Sequence, residues 1–282
     1  MQGDAVNTSQ SGIRLNRLLL TGAAGLLGRE LRSRLKKHCH RLRLSDRIDC
    51  APAGPDEECI RVELAEKPAV MALCDGVDAI LHLGGVSTEQ SWESICEANI
   101  VGMVNLYEGA RAHGVGRIVF ASSNHVTGFY RQDEVVSPRD PARPDGFYGL
   151  SKAFGENLAQ LYWDKHGIET VSLRIGSASA EPKDRRMLAT WMSFDDTERL
   201  IVAALAAPVV GHTVIYGMSD NATTFWDNTP ARHIGYRPRD SSQPFRAAVE
   251  SRQPKIDPTQ PAARYQGGTF VTQGPFFKET PT

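Results

Sequence analysis

The chain of 282 residues is long enough for one large α/β domain with a small appendage. Hydrophobic residues make up 41% of it, charged residues make up 23%, and the net charge is −1. That balance is typical of a soluble globular protein and argues against a nucleic-acid partner, because no basic face dominates. The longest apolar stretch, residues 200–210, is broken by Pro208 and is too short to span a bilayer.

Residues 1–16 are polar and contain no apolar core, so we expect a flexible tail there and no signal peptide. The five cysteines form no Cys-x-x-Cys pair. This pattern is typical of reduced thiols in a cytoplasmic protein and does not indicate a disulfide framework or a metal site.

Short apolar runs that predict β-strands alternate with segments of helical period as far as Gly176. This alternation indicates βαβ units and an α/β fold with a doubly wound parallel sheet of the Rossmann type, whose ligands lie beyond the carboxyl ends of the strands. Residues 49–58, with two prolines and a glycine, predict a loop. The predicted strands are residues 17–20, 41–45, 60–64, 79–83, 117–121 and 169–173, and the predicted helices are residues 25–37, 67–73, 93–113 and 148–166.

After Gly176 the alternation fades, and only a helix at residues 196–206 and a strand at residues 213–216 are clear. We therefore predict three parts, which are a tail (1–16), a dinucleotide-binding domain (17–176) and a small substrate-side cap packed on that domain (177–282). Four polar or glycine positions follow predicted strands and should meet at one site: Asp46, Gly84, Ser123 and Arg174.

A glycine loop, Gly22-x-x-Gly25-x-x-Gly28, follows the first predicted strand and opens the first predicted helix. Glycines permit a tight turn and let a pyrophosphate approach the backbone N–H groups at the start of the helix. Asp46 follows the second strand, where a carboxylate accepts the ribose hydroxyls of NAD and repels the 2′-phosphate of NADP. Arg47 comes next and would favour that phosphate, so the preference for NAD is a prediction that depends on Asp46.

Tyr148 and Lys152 are four residues apart in a predicted helix and therefore share one face. A lysine charge about 5 Å from a phenol, at an effective dielectric of about 20, favours the phenolate by roughly 3 kcal/mol, which lowers the phenol pKa by roughly two units. Such a tyrosine can remove a proton from a hydroxyl while a hydride leaves the same carbon. Because successive strand residues point to opposite faces, only one of Ser122 and Ser123 can face this tyrosine.

Other polar residues near the strand ends allow two interpretations. His82 lies inside an apolar strand and is expected to be a packing residue with a hydrogen-bond partner, whereas His125 is the better candidate for a ligand contact. The pair Arg185-Arg186 is either a solvated surface pair or a grip for an anionic substrate, because guanidinium binds carboxylate in a bidentate manner.

The glycine loop, Asn99, Ser123 and the Tyr148–Lys152 pair together resemble the extended short-chain dehydrogenase/reductase superfamily over residues 17–176. The resemblance implies NAD as cofactor, selects Ser123 as the catalytic serine, and implies a homo-oligomer. It also implies that Asn99 supports a water-linked proton route behind Lys152. The implied cofactor-binding residues are Gly22, Gly25, Leu26, Leu27, Gly28, Asp46, Glu63, Leu64, Leu83, Gly84, Gly85, Tyr148 and Lys152.

A narrower likeness covers nearly the whole chain and is carried by residues 120–125, 141–146, 174–177, 181–182 and 265–270. These segments resemble those of bacterial uronate dehydrogenases, a family that uses NAD to oxidise the anomeric carbon of glucuronate or galacturonate to an aldarolactone. The likeness implies that Arg186 holds the substrate carboxylate and that Asp46 holds the adenosine ribose. The implied substrate-binding residues are Ser87, Ser123, Asn124, His125, Tyr148, Ser177 and Arg186.

Two other functions remain as alternatives. A nucleotide-sugar epimerase or dehydratase would retain its NAD, but such members carry an asparagine and a Gly-Pro after the sixth strand, where this chain has Ser177-Ala178 and Glu181-Pro182. A non-catalytic dinucleotide sensor is disfavoured by the intact serine, tyrosine and lysine. The chain also has Glu63-Leu64 where many relatives have Asp-Leu near the adenine.

Overall fold

A seven-stranded parallel sheet organises the computed structural model, which describes residues 14–255, 257–274 and 276. The strands are β1 (Leu15–Thr21), β2 (Cys39–Asp46), β3 (Glu57–Arg61), β4 (Ala79–His82), β5 (Arg117–Ser123), β6 (Glu169–Ile175), β7 (Ser177–Ala178), β8 (Trp191–Met192) and β9 (His212–Gly217). The main sheet has the order β3-β2-β1-β4-β5-β6-β9, and β7 and β8 form a separate pair. The predicted doubly wound parallel sheet is confirmed.

The α-helices are α1 (Leu26–Leu35), α2 (Lys67–Leu73), α3 (Trp92–Ile95), α4 (Gly102–His113), α5 (Phe147–His166), α6 (Met187–Thr190), α7 (Phe194–Ala206), α8 (Arg246–Arg252) and α9 (Pro261–Arg264). Among the described residues, we find no helix with the length and apolarity that a membrane crossing requires.

Helices cover both faces of the sheet, which explains why its central strands are continuous apolar runs. Leu18 and Leu20 of β1 join one buried core with residues of α1 and α7. Leu19, which points to the opposite face, joins a second core with residues of α2, α4 and α5. Both faces of β1 are therefore buried, and in such a doubly wound sheet ligands bind beyond the carboxyl ends of the strands.

The third strand lies earlier than the sequence predicts. It runs from Glu57 to Arg61 and pairs with β2, so the predicted strand at residues 60–64 is wrong in its bounds and the loop before it ends at Asp56. The reason is that β3 is an edge strand held by ion pairs. Glu57 bonds Arg32, so the strand carries little of the apolar pattern by which strands are recognised.

The long helix predicted at residues 93–113 contains a π-helical segment, Cys96–Val101, between α3 and α4. Such segments are rare, and they occur frequently at functional sites. Asn99 lies within it. From this wider turn the Asn99 side chain reaches the neighbouring helix α5, where it bonds Ser151 at 2.9 Å.

The predicted boundary at residue 176 needs a correction, because the main sheet continues past it. Strand β9 pairs in parallel with β6, and α7 makes the crossover between them on the α1 side. The insertion of β7, α6 and β8 between β6 and α7 hides this last βαβ unit in the sequence. Residues 177–193 lie outside the layers of the main sheet, between β6 and α7.

Candidate active site

The glycine loop forms a close backbone contact at the carboxyl end of β1. A Cβ atom at Gly28 would lie only 2.2 Å from the carbonyl oxygen of Gly22, and one at Gly22 would lie 2.7 Å from the backbone nitrogen of Gly84. Gly22 also has a φ of +72°, which favours glycine. At Gly25, by contrast, a Cβ would meet only the Gly22 oxygen, at 3.2 Å. The loop therefore leaves an open cradle at the start of α1, of the kind that binds a pyrophosphate.

Asp46 lies at the end of β2, directly beside this loop. Its Oδ2 accepts a hydrogen bond from the Ala24 backbone nitrogen at 2.9 Å, and its Oδ1 accepts one from Ile48 at 3.4 Å. The carboxylate is thus fixed next to the cradle, where it can also accept ribose hydroxyls. The shape of the cradle and the position of Asp46 together fit NAD.

The other predicted cofactor contacts lie around the same opening. Leu26, at the start of α1, is exposed. Leu64 packs close to Gly84, because a Cβ atom at Gly84 would lie 3.2 Å from the Leu64 side chain. The side chain of Glu63 is exposed. Leu83 and Gly85 flank Gly84 in the loop after β4, and Leu27 is half-buried in the first turn of α1.

His82 is a packing residue, as the sequence predicts. Its Nδ1 lies 2.7 Å from the Thr21 hydroxyl, and burial lowers its pKa to about 3, so the ring is neutral. The same hydroxyl accepts a hydrogen bond from the Gly84 backbone nitrogen at 3.2 Å. This pair joins the ends of β1 and β4 beneath the cofactor cradle.

Ser123, and not Ser122, faces Tyr148. The Ser123 hydroxyl forms a hydrogen bond with Tyr148 and accepts one from the His125 backbone nitrogen at 3.2 Å. Ser122 points to the other face of β5, where its hydroxyl donates to Glu156 at 2.6 Å. Strand alternation alone allowed either serine to face the tyrosine. The structure places Ser123 there, which is the serine that the family resemblance selects.

Lys152 lies beneath Tyr148 on α5. Its ammonium nitrogen donates to the Ala121 carbonyl at 2.8 Å and lies 5.6 Å from the centre of the Tyr148 ring. Burial lowers the pKa of Lys152 to about 8 and raises the pKa of Tyr148 to about 12. The predicted lowering of the tyrosine pKa is therefore wrong here, because burial of the phenol outweighs the hydrogen bond from Ser123.

Glu89 fixes the start of the helix that carries Tyr148, a role that the sequence analysis missed. Its two carboxylate oxygens accept hydrogen bonds from the backbone nitrogens of Phe147 and Tyr148, each at 2.9 Å. A Cβ atom at Gly146 would lie 2.3 Å from this carboxylate. A negative charge at a helix N-terminus is favourable, and here it comes from a residue 58 positions away.

Asn99 uses both ends of its amide to join two elements. Its Oδ1 accepts from the Val86 backbone nitrogen at 2.8 Å, and its Nδ2 donates to the Val86 carbonyl at 3.0 Å and to the Ser151 hydroxyl at 2.9 Å. It thereby ties the loop after β4 to α5, one residue before Lys152. Ser87 follows Val86 and is exposed on that loop. A part for Asn99 in a proton route stays a prediction.

Arg186 points into the site. Its Nε donates to the Gln266 carbonyl at 2.6 Å, and its Nη2 donates to the Asn124 side-chain oxygen at 2.7 Å, while the Asn124 amide nitrogen donates to Ile175 at 3.1 Å. Burial lowers the pKa of Arg186. No carboxylate of the described residues pairs with this guanidinium. Arg185 turns outward instead and pairs with Glu250 at 3.5 Å.

His125 and Ser177 complete the predicted substrate residues. His125 is buried, with its Nδ1 2.7 Å from Asp145 and its ring stacked on Phe270 at 3.9 Å between centroids. Ser177 bonds the Thr190 hydroxyl at 2.9 Å, which in turn donates to the Arg186 carbonyl at 3.4 Å. Among the described residues we find no cluster of histidine, cysteine, aspartate and glutamate that could hold a metal ion.

Comparisons with known proteins agree with this geometry. The model of the NAD dependent epimerase/dehydratase family matches residues 18–209. A uronate dehydrogenase of Pseudomonas putida is 57% identical over 93% of this chain and 97% of its own length. A crystal structure of a uronate dehydrogenase mutant from Agrobacterium tumefaciens complexed with NAD superposes with a TM-score of 0.92 at 50% identity, covering 94% of this chain and 100% of that one.

A glucuronic acid dehydrogenase from Chromohalobacter salexigens has a TM-score of 0.91 at 50% identity, over 92% of this chain and 98% of that chain. The matches to these relatives each cover more than nine-tenths of this chain. The chain belongs to the NAD dependent epimerase/dehydratase family.

Proposed function

We propose that this protein is an NAD-dependent dehydrogenase that oxidises C1 of a hexuronate, glucuronate or galacturonate, to the aldarolactone. The observation that carries the proposal is Arg186, a half-buried guanidinium with no carboxylate partner among the described residues, which bonds Asn124, the residue after Ser123. A guanidinium that is partly removed from water favours a carboxylate partner, and the carboxylate of a uronate supplies it. The high identity to relatives named uronate dehydrogenase supports the same substrate class.

Each residue at the reacting end has a role that follows from its contacts. Tyr148 removes the proton of the C1 hydroxyl, and Ser123, bonded to Tyr148, orients the reacting oxygen. Lys152 lies on the same side of α5 and supplies positive charge that favours the phenolate. When bound, NAD accepts a hydride at C4 of its nicotinamide and adds positive charge that favours the phenolate further.

Arg186 anchors the opposite end of the sugar. Two of its five N–H donors are used by Gln266 and Asn124, which sets its direction. Within the described part of the chain the other donors have no partner, so they can bind a carboxylate. A substrate held at both ends presents C1 to Tyr148 in one orientation. A neutral hexose would lack the anchor, and we expect it to bind weakly.

Reduction of NAD by free sugars tests the proposal. The purified protein is mixed with NAD or NADP and with glucuronate, galacturonate, glucose or galactose, and the absorbance of the reduced nicotinamide is followed. Fast reduction of NAD by both uronates, with little reduction by the neutral sugars, is the expected result. Absence of reduction with any free sugar would contradict the proposal and favour a nucleotide-sugar enzyme with retained NAD.

Replacement of Arg186 by glutamine should raise KM for glucuronate by about tenfold to a hundredfold, because a charged hydrogen bond to the carboxylate is lost. The turnover of glucose at the same concentrations should change far less. Arg185→Gln is the matched control, since Arg185 pairs with Glu250 outside the site. Equal losses for glucuronate and glucose, or equal effects of the two variants, would remove Arg186 as the anchor.

Replacement of Asp46 by asparagine should improve the use of NADP relative to NAD by about tenfold or more, because the charge that repels the 2′-phosphate is removed. The amide keeps an oxygen that can accept the hydrogen bond from Ala24. Asp49→Asn, in the following loop near Arg61, is the control and should leave the cofactor preference as it is. The ratio of kcat/KM for the two cofactors is the measurement, and an unchanged ratio in Asp46→Asn would refute the role of this carboxylate.

We also propose that the protein acts as a cytoplasmic homo-oligomer. The five cysteines are free thiols, which suits a reducing compartment. Leu150 and Leu161 expose apolar surface on α5, and such surface is often covered by a second subunit. Sedimentation of the purified protein tests the oligomer, and a monomer across the micromolar range would contradict it.

A further inference from the structure

A buried pair formed by His125 and Asp145 lies beside Tyr148. Asp145 Oδ2 lies 2.7 Å from His125 Nδ1. The side chain of Asp145 is 1% exposed, and its other oxygen, Oδ1, is buried without a hydrogen-bond partner among the described residues. His125 is therefore the one side chain of the described residues that bonds this carboxylate.

The surrounding backbone prevents Asp145 from turning away. Cβ atoms at Gly128 and Gly267 would lie 2.0 Å and 1.9 Å from its Oδ2, so both positions must remain glycine for the carboxylate to fit. Gly267 belongs to the segment 265–270, which the sequence resemblance singled out without giving it a function. The two glycines, which are far apart in the sequence, therefore hold the carboxylate in place beside the histidine.

The histidine ring is also held in one orientation. It stacks on Phe270 at 3.9 Å and meets the Tyr148 ring edge-on at 5.8 Å. Its second nitrogen, Nε2, has no hydrogen-bond partner within the part of the chain that the structure describes. Asp145 and Glu89 favour the charged ring and Arg186 disfavours it, but burial is the largest effect and lowers its pKa, so the neutral ring is favoured.

We propose that Asp145 is a positioning residue that holds His125 in the tautomer with its hydrogen on Nδ1, so that Nε2 accepts a hydrogen bond from a substrate hydroxyl. A carboxylate only accepts hydrogen bonds, so the shared hydrogen belongs to the imidazole, and in the neutral ring Nε2 then carries a lone pair. Arg186 donates hydrogen bonds to the substrate carboxylate, whereas His125 accepts one from a hydroxyl. The two residues therefore recognise different groups of the sugar. The identity of the substrate in this inference rests on the proposed function. The effect of Asp145 on the His125 tautomer does not depend on that function.

The wild-type tautomer is measured first, by nitrogen-15 NMR of protein labelled at histidine, with the His125 signals assigned from their loss in His125→Gln. We expect a protonated Nδ1 and an unprotonated Nε2 at pH 7 without substrate, and a changed Nε2 signal when glucuronate binds. A hydrogen on Nε2 of the wild type would overturn the proposal. This measurement needs neither turnover nor a folded variant.

Asp145→Asn then tests the cause. The amide has N–H donors where the carboxylate has only acceptors, and with its nitrogen towards Nδ1 it donates to the ring and drives the ring hydrogen to Nε2. We expect that tautomer in the spectrum and a fall in kcat/KM for glucuronate of about tenfold to a hundredfold. Asp140→Asn is the matched control, since Asp140 bonds the Ser137 backbone within the same loop and makes no contact with His125.

A double-mutant cycle separates positioning from a general structural effect. In a His125→Gln background, Asp145→Asn should change kcat/KM by less than about threefold, because the ring through which it acts is gone. A loss as large as in the wild-type background would overturn the proposal. If the wild type reduces no NAD with uronates while the tautomer still depends on Asp145, the proposed function fails and the positioning role stands.

Discussion

Replacement of Tyr148 by phenylalanine should lower kcat for uronate oxidation by roughly a hundredfold to ten-thousandfold, the usual contribution of a general base. The phenol is the group that contacts Ser123 at the reacting end, and removal of its hydroxyl removes the proposed base. The affinity for NAD should stay nearly unchanged, because the glycine loop and Asp46 are untouched. Steady-state rates and NAD titration by fluorescence measure the two quantities separately.

Tyr162→Phe is the matched control, because Tyr162 lies on the same helix α5 and donates its hydroxyl to Glu108, away from the site. It should turn over at the wild-type rate. The pH dependence adds a second test: burial raises the pKa of Tyr148 to about 12, so its phenolate fraction and the wild-type rate should rise with pH through the neutral range. Near-normal turnover in Tyr148→Phe would refute the assignment.

Replacement of Glu156 by glutamine should destabilise the protein by about 3–5 kcal/mol, because it leaves the Arg174 guanidinium buried without a counter-charge. Glu156 accepts two hydrogen bonds from Arg174, at 3.0 Å and 2.8 Å, and both side chains are buried. Burial alone would lower the pKa of Arg174, but the bonds and the charge of Glu156 raise it above its usual value. A fall in Tm of roughly 10 °C is expected.

Urea unfolding of Glu156→Gln, compared with Asp133→Asn, measures this loss. Asp133 pairs with Arg131 on the surface, at side-chain exposures of 65% and 44%, so its variant should unfold like the wild type. The same midpoint for both variants would show that the buried pair is not needed for stability. Ser122 also donates to Glu156, so this pair joins α5 to the strand that carries Ser123.

Local signals in the sequence predicted the parts of the site that depend on spacing along one element. The glycine loop follows a strand and opens a helix, and Tyr148 and Lys152 share a helical face, so both could be recognised without knowing the fold. The helix at residues 67–73 was likewise predicted with its observed bounds, because its apolar period is regular.

The missed features depend on residues that are distant in sequence. Glu89 meets the start of α5 across 58 positions, and Gln266 reaches Arg186 across 80. No periodicity in the sequence connects such pairs. Gly146 and Gly267 are the available signal of a close approach, because a Cβ atom at either position would collide with a distant side chain. The boundary at residue 176 failed for a related reason, since the insertion of β7, α6 and β8 interrupts the alternation before its last strand.

The sign of the Tyr148 pKa shift shows a limit of a different kind. The spacing predicts that the charge of Lys152 lowers this pKa, because two charges on one helical face attract each other whatever surrounds them. In the folded chain the phenol is buried, and desolvation raises its pKa to about 12. Sequence spacing gives the distance between two groups on a helix, whereas their solvation depends on everything packed around them.

The most direct test of the central claim is to supply glucuronate that carries deuterium at C1, together with NAD. We expect the deuterium to appear on the reduced nicotinamide, and the sugar product to be a lactone without it, as measured by NMR and mass spectrometry. Reduced nicotinamide without deuterium, with the label retained at C1 of the sugar, would contradict oxidation at the anomeric carbon.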